Sequence, residues 1–198
     1  MQARLPGSLL RGNKQNQPDI QEAPANADFA DPLPLHSIYL AQLLKSARIY
    51  ANTEKPVVLC IGTDRIIGDS LGPLTGSLLE KYNGASFFVY GTLSSTVHAC
   101  NLEKTLRQIK KEHPHSAIIA VDASLGQENK IGSVFIHPGS IKPGMGVSKN
   151  LPAAGDISIT GIAGARGNQP YLTLQTARLS LIMAMAEEIC ACIVDACG

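Results

Sequence analysis

Val57-Val-Leu-Cys-Ile-Gly62 and Ala117-Ile-Ile-Ala-Val-Asp122 decide the fold. Both are apolar runs without polar alternation, the pattern of a strand buried on both faces of a parallel sheet. Each ends in a residue suited to a turn or a site. Between them Phe87-Phe-Val-Tyr90 reads as another strand, and the intervening segments have helical spacing. The helix after the first strand begins near Asp69 or Ser70 and carries Leu71, Leu74, Leu78 and Leu79; the next carries Leu102, Leu106 and Ile109, with Asn101 as its cap. Three strands alternating with helices predict a βαβαβ core with right-handed crossovers.

Working outward, Ile38, Leu40, Leu43, Leu44 and Ala47 recur at helical spacing after Ser37, up to about Tyr50. On the other side, residues 133–137 read as a short strand and 157–162 as another. The Gly/Pro-rich connection 138–155 is too long for an ordinary turn. One amphipathic helix is expected over about 170–194, with Leu172, Leu179, Ile182, Met183, Met185, Ala186 and Ile189 on its apolar stripe. The expected fold class is α/β: a three-layer α/β/α sandwich on a mostly parallel sheet, formed as a single domain by residues 37–198. Residues 1–36, rich in Pro, Gly, Asn and Gln, lack a hydrophobic period and read as an arm or tail. Such an arm is suited to docking on its own domain, joining a partner subunit in a homo-oligomer, or proteolytic removal.

Composition narrows the function. With 17 Lys+Arg against 16 Asp+Glu and a net charge of +1, the chain has no field to hold a phosphate backbone. It has no Trp and 5% aromatic residues, so no stacking platform for single strands is expected, and nucleic acid is not an expected partner. Nor is a membrane, because no apolar run approaches the roughly eighteen residues of a spanning helix; Arg178, Glu187 and Glu188 bracket the longest candidate. Five cysteines, an odd number, without secretory or zinc-ligand spacing fit a reducing cytoplasm, where all five read as small buried hydrophobes.

In an open α/β sheet, ligands bind beyond the carboxyl ends of the strands. Two carboxylates are expected there: Asp122, closing the third strand, and Asp69, a short loop after the first. Two such groups in a low-dielectric cleft are forced into unequal protonation, which supplies an acid and a base. The structural alternatives are a helix N-cap for Asp69 and a local turn bond for Asp122. Asp64 and His98 lie on loops expected to open at the same rim. Gly62, Gly68 and Gly72 crowd Asp69 without forming a dinucleotide or P-loop fingerprint, so no nucleotide cofactor is expected. His36, His98, His113, His115 and His137 lack metal-binding spacing, so no metal site is assigned from motif. The letters Gly68-Asp69-Ser70-Leu71 match the GDSL esterase signature, but Thr63 to Ile67 separate them from the strand and no late D-x-x-H supplies a base.

Three blocks in order carry a family resemblance: Gly62-Thr-Asp-Arg-Ile-Ile-Gly-Asp69-Ser-Leu-Gly72-Pro73, Ile118-Ile-Ala-Val-Asp122-Ala, and Lys142-Pro-Gly-Met-Gly-Val-Ser-Lys149-Asn-Leu-Pro-Ala-Ala-Gly-Asp-Ile-Ser-Ile-Thr-Gly161. Together they resemble the YyaC family of sporulation proteins, described as candidate spore proteases, from about Pro56 to the C-terminus. The blocks are more distantly similar to the germination protease that degrades small acid-soluble spore proteins, whose first motif reads P-D-A-L-G-P. That resemblance implies catalytic roles for Asp69 and Asp122 on a peptide or protein substrate, without a cofactor. Hydrogenase maturation peptidases, with a phosphorylase/hydrolase-like architecture, place acidic residues at the equivalents of both. Their third metal contact, a histidine, has no match here.

The resulting expectation is a sporulation-associated peptidase in the cytoplasm, forespore or spore core. Asp69 and Asp122 form its catalytic pair, and Asp64, Ser70, His98 and Lys149 are candidate substrate contacts. N–H groups near Ser70 and Leu71 are candidate oxyanion donors. The loop holding Lys142 and Lys149 is a candidate lid. The alternatives are a non-catalytic binding or regulatory protein retaining the fold, and a metal-dependent hydrolase using the same aspartates.

Overall fold

The structure is a computed structural model and describes residues 36–51, 55–82, 86–143 and 151–197. The expected arm, Lys149 and the glycine-rich 144–147 element lie outside the described residues. Apolar runs become the strands β1 (Val57–Cys60), β2 (Phe88–Tyr90), β3 (Ile118–Gly126), β4 (Val134–Pro138) and β5 (Ile157–Ala165). Amphipathic runs become the helices α1 (Ser37–Ala51), α2 (Leu71–Leu79), α3 (Leu102–Glu112), α4 (Pro170–Gln175) and α5 (Leu179–Cys197).

The five strands form one sheet in the order β2-β1-β3-β5-β4. β1 pairs in parallel with β2 and β3, β3 in parallel with β5, and β4 closes one edge antiparallel to β5. Because strand side chains alternate, β1 divides itself between two cores. Val58 and Cys60 join Leu40 and Leu44 of α1, Leu71 and Leu79 of α2, and Ile182, Met185 and Ile189 of α5 on one face. Val57 and Leu59 meet Leu102 and Ile109 of α3 on the other, where Ile141, Leu151 and Ala154 complete the cover. The connection after β4 is pinned at its neck: Ile141 and Ala154 exchange both backbone hydrogen bonds at 2.9 Å.

Three expectations are corrected. β3 does not end at Asp122 but continues to Gly126, because β5 also runs on, to Ala165, and pairs with it there. The single C-terminal helix is two: α4 stops at Gln175 and α5 starts at Leu179. The break lets α4 turn so that Leu174 packs on Gly68, while α5 lies on the sheet. All five cysteines are free, yet only Cys60, Cys190 and Cys192 are buried; Cys100 is exposed and Cys197 half-buried. Burial holds the Cys60 thiol far above its ordinary range. Cys100 is therefore expected to react with a thiol reagent at the rate of a free thiol, and Cys60 only at the rate of unfolding, which a timed mass-spectrometric labelling would resolve.

Candidate active site

The sheet order creates the site. From β1 the chain moves outward to β2, then crosses back to β3 on the other side, so the connections leaving β1 and β3 diverge and leave a crevice at their carboxyl ends. Asp69 stands on the first connection and Asp122 on the strand bordering it.

Asp69 is positioned by a tightly folded loop. After Ile61 the chain turns at Gly62, whose φ of +143° disfavours any side chain, and the Gly62 N–H donates to the Val97 carbonyl at 2.7 Å. Residues 64–67 double back into a 3-10 turn, Gly68–Ser70, that leads directly into α2. The Asp69 carboxylate then reaches across the loop and accepts the Thr63 N–H at 2.8 Å. It makes no capping bond; Ser70 occupies the N-cap position of α2. The helix-cap alternative for Asp69 is thereby replaced by a loop clamp that fixes the carboxylate. Gly72 brings α2 so close to β1 that a Cβ there would lie 2.1 Å from the Ile61 carbonyl oxygen.

Asp122 sits on β3 one residue beyond the last β1 pair, Cys60 with Val121. It is 8% exposed, which is costly for a carboxylate that makes no ion pair among the described residues. Its Oδ1 accepts the Ala123 N–H at 2.9 Å. This is the local turn bond expected as the alternative to a catalytic role, and it is the one hydrogen bond the Asp122 carboxyl accepts among the described residues. Thr160, also buried, is its register partner on β5.

Electrostatics separate the two groups. Burial pushes Asp69 up to about 6, against the opposing pull of the Thr63 N–H. Asp122 is raised well above the ordinary carboxylate range, first by burial and then by the Asp69 charge, with the Ala123 N–H opposing. The Asp69 charge is thus felt at Asp122, a carboxyl that burial already holds above the ordinary range. Among the described residues no group of three or more His, Cys, Asp or Glu forms a potential metal cluster.

The sign of the stability effect follows. A folded-state value raised above the ordinary one means that the folded protein holds the proton more tightly than the unfolded chain does. Stability therefore falls as pH rises from about 4 through 6, and the full cost is present above that. Asp69→Asn, whose amide oxygen can still accept the Thr63 N–H, is expected to stabilise the protein by ~1–3 kcal/mol at pH 7 and by almost nothing at pH 3. Denaturant melts at the two pH values measure this; equal effects at both would refute it.

The remaining candidates are not drawn into the pair. Asp64 is exposed on the turn and makes no ion pair among the described residues. Ser70 is buried, and its hydroxyl donates to the Ile67 carbonyl at 2.6 Å, so it holds the 3-10 turn. Its N–H donates to the same carbonyl at 3.1 Å, which removes it as an oxyanion donor. His98 follows Val97, the residue that bridges to Ile61, but its Nδ1 accepts the Cys100 N–H at 3.2 Å and its ring serves its own loop. Asn101 occupies the N-cap position of α3 as expected, but its side chain makes no capping bond: its Oδ1 accepts the His98 N–H at 2.7 Å and its Nδ2 donates to the Thr96 carbonyl at 2.9 Å. Sequence reasoning missed Thr63, Thr160 and Leu174. The first acts through its backbone and the others through register and helix placement, none of which leaves a mark on residue type.

The mostly parallel sheet with its single antiparallel edge, covered by helices on both faces, defines the class as an α/β/α protein of the hydrogenase maturation protease fold. The structure is similar to the crystal structure of the [NiFe] hydrogenase maturation protease HycI from Thermococcus kodakarensis KOD1, with a TM-score of 0.52 and 18% identity over 77% of this chain and 97% of that one. Sequence places it more narrowly. Residues 34–192 match the family described as "Protein of unknown function (DUF1256)", and the chain belongs to that family. It is 43% identical over 173 residues to the Bacillus subtilis (strain 168) protein named "Uncharacterized protein YyaC", covering 87% of this chain and 82% of that protein. Among the described residues no helix is long and apolar enough to cross a membrane.

Proposed function

We propose that the chain is a peptide-bond hydrolase in which Asp69 and Asp122 act as base and acid. What supports this reading is that burial raises both carboxyls and that the Asp69 charge raises Asp122 further, with Asp122 one residue beyond the last pairing of β3 with β1. At neutral pH the Asp69 carboxylate takes a proton from a water molecule as its oxygen attacks the scissile carbonyl. The Asp122 carboxyl, still protonated, donates a hydrogen bond to the carbonyl oxygen, and then gives its proton to the departing amine. Proton return from Asp69 to Asp122 resets the pair. Among the described residues each group accepts one backbone N–H, which fixes its position and leaves its other lone pairs for water and substrate.

The three sequence blocks further support a sporulation protein substrate, in the manner of the germination protease. The test is cleavage of unfolded protein and of spore protein by the purified chain, with each aspartate replaced by Asn. No turnover by the unsubstituted chain would favour a non-catalytic binding protein on the same fold. A proteome comparison of spores with and without Asp69→Asn identifies the substrate.

A further inference from the structure

We propose that β3 beyond Asp122 is a peptide-binding edge: an extended substrate backbone adds to the sheet beside residues 123–125, in the place that β1 vacates, and is thereby laid against the carboxylates. This rests on the peptidase reading above and specifies how the substrate is held. β1 leaves the sheet early. Its last bond to β3 runs from the Ile61 N–H to the Val121 carbonyl at 2.8 Å, whereas β3 continues to Gly126 with β5 as its one strand neighbour there among the described residues, the 3-10 turn Gly68–Ser70 also packing near β3.

Backbone direction alternates along a strand, so the groups on the open side can be named. The Ala117 and Val121 carbonyls accept from Val57 and Ile61 on the β1 side, while those of Ile118 and Gly126 accept from Asp156 and Arg166 on the β5 side. Ala123 and Leu125 therefore face the side from which β1 is missing. The irregularity in this stretch does not disturb that alternation. The register steps from Ser124 opposite Ile162 to Leu125 opposite Gly164, so the extra residue, Ala163, belongs to β5.

The Ala123 N–H is taken by Asp122. Among the described residues, the Ala123 carbonyl and the Leu125 N–H have no hydrogen-bond partner. They are the acceptor and donor that one residue of an added parallel strand engages. Residues 123–126 are all partly exposed, and Ala-Ser-Leu-Gly contains neither the charge nor the proline that usually blocks an open edge. Backbone groups presented in this way select an extended peptide rather than a small molecule, and tolerate varied side chains.

Amide hydrogen exchange on the full chain tests the proposal, with Asp69→Asn to prevent turnover and a pool of end-blocked, random eight-residue peptides as the probe. In the free protein the Leu125 N–H should exchange at least about tenfold faster than that of Ser124, which faces β5, and the pool should slow it about tenfold. Leu125→Pro deletes that N–H without touching the β5 ladder and should weaken pool binding about tenfold, while Leu125→Ala should not. Binding that leaves the Leu125 N–H unprotected, equal binding by Leu125→Pro, or no binding of the pool would each overturn the proposal. Should Leu125→Pro fail to fold, the exchange measurement decides alone. Hydrolysis is read separately through the aspartate variants, so the edge and the acid–base pair can fail independently.

Discussion

Asp122→Asn should lower the rate of peptide hydrolysis by ~10²–10⁴-fold while leaving the fold intact. An asparagine preserves the size of the side chain and can still accept the Ala123 N–H, so the local geometry of β3 is kept. What it lacks is a proton to release to the leaving amine, and positioned acid–base groups contribute about that factor. The same change removes a buried group that ionises only at a cost, so the variant should melt at or above the temperature of the parent at pH 7. Rate loss accompanied by unchanged or greater stability separates a chemical role from a structural one. The pH profile adds an independent check. Activity in the unsubstituted chain should rise as Asp69 ionises near pH 6, and fall at higher pH as Asp122 loses its proton. Hydrolysis by Asp122→Asn at the parent rate, or a flat profile across pH 6, contradicts the acid–base assignment.

The second large effect concerns Gly72. A methyl group there would stand 2.1 Å from the Ile61 carbonyl oxygen and 2.7 Å from its nitrogen, both backbone atoms of the chain leaving β1. Neither atom can swing aside as a side-chain tip would, so Gly72→Ala must push α2 away from the sheet. The expected destabilisation is ~3 kcal/mol or more, roughly 6–12 °C in Tm for a chain of this size. Gly167→Ala, with nothing within 4 Å of its would-be methyl, is the control and should shift Tm very little. Because α2 begins where the Asp69 turn ends, Gly72→Ala should also disturb the pair. Even at temperatures where it is folded, hydrolysis should fall. A thermal melt and a rate at one low temperature suffice, and a Tm within 2 °C of the parent would count against the close approach.

This arrangement also explains why glycines surround Asp69 without forming any nucleotide fingerprint. Gly62 turns the chain out of the sheet, Gly68 receives Leu174, and Gly72 admits the Ile61 carbonyl. Their spacing serves backbone packing around one carboxylate.

The strands were legible in the sequence because burial on both faces demands uninterrupted apolar residues, as in Val57-Val-Leu-Cys. The helices were legible from their one-sided stripes, as in Leu102, Leu106 and Ile109. Asp69 and Asp122 stood out because each is an acidic residue at the carboxyl side of such a strand. Less was legible where a second segment decides the outcome. The end of β3 depends on how far β5 runs, and the break after α4 depends on Leu174 finding Gly68. The Ser70 hydroxyl donates to the Ile67 carbonyl and the His98 Nδ1 accepts the Cys100 N–H, and residue type does not reveal which bonds a side chain makes.

The linear chain by itself determined the alternation of strands and helices and the carboxylate that follows each of two strands, because local periodicity and burial leave a direct imprint on composition. Only the tertiary structure decided that the Asp69 charge reaches Asp122, that burial raises both carboxyls above their ordinary range, and that β3 outruns β1 beside them. Strand order, desolvation and pairing length depend on which distant segments become neighbours, and such proximity is a property of the folded chain.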